Sequence, residues 1–117
     1  MEAHRISPQE VKQRLDLGHQ IVFIDTRSAA AWNGSDGMLP GAIRMPADKI
    51  PDHLSELPHD GTIVIYSASA AEGASAHAAL TLTQAGFRNV FALEGGFDAW
   101  KKAGLPVEQK IEAQPSV

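Results

Sequence analysis

The chain has 117 residues, a formal net charge of −4 and no cysteine. Its length suits a single domain with an ordinary core, and its 44% apolar and 21% charged residues exclude wholesale disorder. Without cysteine there can be no disulfide, no thiolate chemistry and no cysteine-based zinc or iron–sulfur site.

The acidic balance has no basic cluster, which speaks against nucleic acid or an anionic membrane surface as a partner. No apolar run approaches membrane-spanning length. The opening "MEAHRISPQEVK" lacks the apolar core of a signal peptide, so a cytoplasmic protein is expected.

In chain order, "SPQEVKQRLDLG" predicts a helix with Ser7 as N-cap, Pro8 at its first position, Glu10 completing a capping box and Gly18 as the stop. "IVFID" (21–25) is short and almost wholly apolar, which predicts a strand buried on both faces. Residues 28–32 suit a short helix capped by Ser28, and "NGSDGMLPGA" is dense in turn residues. "AIRM" (42–45) predicts a brief strand stopped by Pro46, and "PDHLSEL" (51–57) a short helix.

"TIVIY" (62–66) is a second buried strand, followed by a helix over 73–85 that Gly86 closes. "NVFAL" (89–93) is a third apolar strand, and "GGFDAWKKAG" (95–104) a short helix between glycines. After Pro106 the chain is polar and reads as a loose tail. A domain over 1–107 with a tail over 108–117 is therefore expected.

Strands alternating with helices imply a parallel sheet covered on both faces. Ligands of such sheets bind outside the carboxyl ends of the strands. Two places qualify. The loop of Ser67, Ala68, Ser69, Ala70, Ala71, Glu72 and Gly73 joins a strand to a helix N-terminus. There, free N–H groups and small side chains suit an oxyanion with the Ser67 hydroxyl at its base.

The second place is "DTR", which ends the first buried strand. Asp25 and Arg27 either line the cleft or tie the strand end to a neighbouring loop. A base for Ser67 would have to be Asp25 or His77. Trp32, Phe97 and Trp100 are expected in the core. The five histidines show no metal-ligand spacing, and neither a metal nor a cofactor is expected.

Four segments in order give the chain a resemblance to a single rhodanese domain. "IDTRSAAAW" resembles that family's strand-ending Asp-x-Arg and short helix. "MLPGAIRMP" resembles its His-Ile-Pro-Gly-Ala segment, with Met38 replacing the histidine. "IVIYSASAAEGASAHAAL" occupies the active-site strand, loop and helix, and "VFALEGGFDAWKKAGLPV" resembles the closing signature.

The resemblance implies an α/β fold with a mostly parallel five-stranded sheet and helices on both faces. It also implies a loop over 67–72 that cradles a persulfide. Active members carry a cysteine at the first loop position, whose thiolate takes a sulfane sulfur and passes it to an acceptor. Ser67 stands at that position. One subgroup opens the loop Tyr-Cys-x-Cys and carries a later glutamate; "YSAS…E" keeps that frame with serine for both cysteines and Glu72 for the glutamate.

Three readings follow. The first is a domain without sulfurtransferase activity that binds a small sulfur-containing anion or a partner protein. The second is a sulfurtransferase whose cysteines were exchanged for serine. The third is a serine-based phosphatase or hydrolase.

Overall fold

The computed structural model describes residues 3–69 and 73–110. Five strands form one sheet in the order β1-β6-β5-β2-β4, every pair parallel. The central strands are β2 (Ile21–Asp25) and β5 (Thr62–Tyr66), the two nearly unbroken apolar runs. A strand covered on both faces needs apolar side chains in both directions, which is why neither run alternates with polar residues. β6 (Val90–Leu93) flanks β5, and β4 (Ile43–Arg44) flanks β2.

Successive strand residues supply two separate cores. On one face Ile24, Ile63, Ile65 and Ala92 pack with Ala78, Ala79 and Leu82 of α3 (Ala74–Gln84) and with Ile50 and Leu57. On the other, Phe23, Val64 and Tyr66 pack with Val11 of α1 (Pro8–Asp16) and with Phe97 and Trp100 of α4 (Gly96–Lys102). The expected sheet with helices on both faces is present.

Local chemistry sets the helix starts. The Ser7 hydroxyl accepts the Glu10 N–H at 3.0 Å, and Glu10 Oε1 accepts the Ser7 N–H at 3.1 Å, completing the capping box read from the sequence. Such a cap stabilises by about 1 kcal/mol. Ser28 caps α2 (Ala29–Asn33) by accepting the Ala31 N–H at 3.2 Å.

Several expectations need correction. β1 (Arg5–Ile6) pairs with β6 and supplies the fifth strand, although two residues carry no periodic signal. The helix expected over 51–57 is a 3₁₀ segment, Ala47–Glu56, kinked at His53. Pro51 lies within it, has no N–H to donate and disfavours continuation as an α-helix.

The stretch after Pro106 is not loose at its start. β7 (Glu108–Gln109) pairs antiparallel with β3 (Gly37–Met38), which lies inside the segment read as loop. The Glu108 carboxylate accepts the Gly41 N–H at 3.1 Å, and the Lys110 N–H donates to Asp36 O at 2.7 Å. Residues 111–117 of the expected tail lie outside the described residues.

Phe97 and Trp100 are core, as expected. Trp32 is not: it is half-buried at the end of α2, with its ring against cations. Among the described residues no helix is long and apolar enough to cross a membrane.

Candidate functional site

Parallel pairing brings three strand ends level. Asp25 is in register with Arg44 on one side and with Tyr66 on the other. Asp25 and Arg27 are both buried, so each charge needs a partner close by. Arg27 grips the carboxylate through Nε at 3.1 and 3.0 Å and through Nη2 at 2.7 Å, while its own N–H donates to Oδ1 at 2.9 Å.

Nη2 also donates to Gly37 O at 2.8 Å, which ties the end of β2 to β3. Tyr66 donates its hydroxyl to Asp25 Oδ2 at 2.7 Å and accepts the Leu39 N–H at 3.2 Å. The Arg27 guanidinium lies over the rings of Phe97, Trp32 and Tyr66 at 4.5, 5.1 and 5.7 Å.

Of the two roles open to "DTR", this geometry is the tie: an ion pair that fixes the strand ends beneath the loop. Burial, reinforced by the neighbouring Asp25 charge and the bond to it, pushes the Tyr66 phenol far above its ordinary 10.0. Tyr66 therefore stays a neutral donor at neutral pH.

Ser67 follows Tyr66 directly and is 1% exposed. Its hydroxyl lies 3.4 Å from Ser75 Oγ and 3.5 Å from Ser69 O. Ser75, in the first turn of α3, is itself buried. From the far side α4 holds the loop by its backbone: Phe97 N–H donates to Ser67 O at 2.9 Å and Asp98 N–H to Ala68 O at 3.0 Å. Gly73 is the N-cap of α3. Ala70, Ala71 and Glu72, named with this loop as the anion cradle, lie outside the described residues.

The structure brings Ser67, Ala68 and Ser69 to the carboxyl end of the sheet, next to the Asp25–Arg27 pair. Asp25 is committed to Arg27 and Tyr66, and His77 is exposed on α3. Among the described residues no cluster of three or more His, Asp or Glu could hold a metal ion.

Three residues that shape this region were not singled out in the sequence. Tyr66 was legible in principle, because a buried Asp25 needs a donor and the adjacent strand ends in the chain's one tyrosine. Ser75 and Gly96 carried no signal of their own, since their importance lies in what the fold sets against them.

Fold and site together define an open parallel α/β domain whose carboxyl-end loop, clamped between two helices, presents a buried hydroxyl at its first position. The chain belongs to the rhodanese-like domain family, whose model matches residues 7–103.

It is 36% identical over 104 residues to a sulfurtransferase of Allochromatium vinosum, an alignment covering 89% of this chain and 94% of that protein. It is 34% identical to the probable adenylyltransferase/sulfurtransferase MoeZ of Mycobacterium tuberculosis, spanning only 25% of that protein's length and 86% of this chain. The solved rhodanese-like domain of the Anabaena Alr3790 protein superimposes with a TM-score of 0.75 at 30% identity, covering 97% of this chain and 84% of that one.

Proposed function

We propose that this rhodanese-like domain is silent as a sulfurtransferase and acts in the cytoplasm as a binding module. Its loop over residues 67–73 would take a small sulfur-containing anion or a group on a partner protein. The observation that carries this reading is Ser67, which opens the loop in a chain without cysteine.

A persulfide needs a polarisable thiolate, available near neutrality because a free thiol has a pKa of about 8.5 and a helix N-terminus lowers it. A serine hydroxyl forms no persulfide and is scarcely ionised without a base. The commitment of Asp25 to Arg27 and Tyr66 supports the reading, because it leaves that carboxylate unable to serve as base. The same commitment weighs against a serine hydrolase.

A second reading is favoured by the loop's own frame. Ser67 and Ser69 stand together where an active subgroup carries both cysteines, and the Allochromatium relative is named a sulfurtransferase. On that reading the rest of the site is intact and two sulfur atoms are missing.

Thiosulfate:cyanide turnover tests the proposal. The protein is expected to release no thiocyanate and to hold no cyanolysable sulfur after incubation with thiosulfate. Turnover above the rate of a boiled sample would overturn it.

A further inference from the structure

Around Trp32 the fold gathers three positive charges, of which one has a carboxylate in direct contact. Three cations approach this half-buried ring: Lys110 Nζ at 4.4 Å from its centroid, the Arg27 guanidinium at 5.1 Å and the Arg44 guanidinium at 5.2 Å. They come from three separate segments, β7's end, the end of β2 and β4. Their convergence is therefore a product of the tertiary fold.

The charge of Arg27 is answered by Asp25. Those of Arg44 and Lys110 are not: among the described residues neither has a carboxylate within ion-pair distance. Their hydrogen bonds run to main-chain carbonyls, Arg44 Nη1 to Asp25 O at 3.2 Å and Lys110 Nζ to Trp32 O. Each keeps further N–H donors. Glu108 is bonded to the Gly41 N–H and Asp36 meets Lys110 through its main-chain oxygen, so among the described residues neither carboxylate is in direct ion-pair contact with these two cations.

The two cations share one ring, so they lie within about one Debye length (~10 Å at 0.1 M salt) and repel each other. An anion within reach of both would relieve the repulsion and accept charge-assisted hydrogen bonds from each.

The position fits a ligand site. Arg44 ends β4 level with Asp25 and Tyr66, at the end of the sheet where open parallel sheets bind ligands. With strands about 4.8 Å apart it stands two strands from the start of the Ser67 loop.

We infer that Arg44, Lys110 and the Trp32 ring form an anion-binding site for an oxyanion or carboxylate group, separate from the Ser67 loop. It does not depend on what that loop does. A free oxyanion and a carboxylate on a partner protein share the required chemistry, and sulfate and a short glutamate-rich peptide are the probes that distinguish them.

The experiment is a titration with sodium sulfate, and in parallel with the peptide, against sodium chloride at matched ionic strength. Tryptophan emission and Tm are both read. The chain has two tryptophans, and Trp100 is buried, so a ligand here registers through Trp32.

The expected result is a saturable change in emission and a rise in Tm beyond chloride with at least one probe. Both should disappear or shift to about tenfold higher concentration in the Arg44→Gln/Lys110→Gln double variant, which removes two charge-assisted contacts. The Trp32→Phe variant should lose the emission change. If the double variant does not fold, Lys110→Gln alone should weaken binding in the same direction. No saturable change with either probe, or one that survives both substitutions, would overturn the assignment.

Discussion

A Cβ added to Gly96 would stand 2.5 Å from the main-chain oxygen of Ser67, and 2.9 Å from the Ser69 nitrogen. Gly96 also has φ +61°, where a side chain is strained whatever the space. The start of α4 and the loop are thus in backbone contact, and the bonds from Phe97 and Asp98 to Ser67 and Ala68 depend on that closeness. Gly96→Ala should cost roughly 2 kcal/mol or more through strain and the forced shift of the loop. Urea denaturation measures the cost, and a midpoint equal to the parent's would show that the loop moves aside freely.

The Asp25–Arg27 pair should behave as a buried unit. Asp25→Ala leaves the guanidinium without its carboxylate and should destabilise by about 3–5 kcal/mol. Replacing both residues by apolar ones should cost much less than the two single losses together, because no orphan charge remains. A double-mutant cycle by urea denaturation measures the coupling. Additive losses would show that the pair does not act together.

Tyr66→Phe removes the hydroxyl that donates to Asp25 and accepts from Leu39. Its ring remains, so the loss should be about 1–3 kcal/mol, that of leaving buried groups unsatisfied. A thermal melt should show the lower Tm, and an unchanged Tm would mean that water replaces the hydroxyl at no cost.

Tyr66 also makes the alkaline limit of the fold predictable. Its folded-state pKa is raised, so its contribution to stability is complete below the free phenol's 10.0. Above that pH the unfolded chain gives up the phenolic proton and the folded one holds it, so stability falls as pH rises. Because Tyr66 is the only tyrosine, tyrosinate absorbance should appear together with loss of structure rather than before it. Tyrosinate in a chain whose circular dichroism is still native would contradict the burial and bonding described for Tyr66.

What the sequence made legible follows from physical length. β2, β5 and α3 are long enough for apolar runs or helical spacing to identify them, and the capping box of Ser7 and Glu10 is a local contract between neighbours. β1, β3 and β7 have two residues each and exist only because another strand lies beside them, whereas the equally short β4 was marked by the stop at Pro46. The pairing of 108–109 with 37–38 spans most of the chain, so nothing local could announce it. The same holds for the site. Ser67 was named as a candidate from its place after a buried strand, whereas Ser75, Gly96 and the cations around Trp32 are brought into view only by contacts made in three dimensions.

On the proposed function, an oxygen at position 67 stands where sulfur transfer needs a thiolate. The most direct measurement compares the parent protein with Ser67→Cys, each incubated with thiosulfate and weighed intact by mass spectrometry. The buried position beside Ser75, with the loop fixed by α4, predicts that the cysteine variant gains one cyanide-labile sulfur atom and the parent gains none. Sulfur on the parent, or none on the variant, would contradict the proposal that this one atom makes the domain silent.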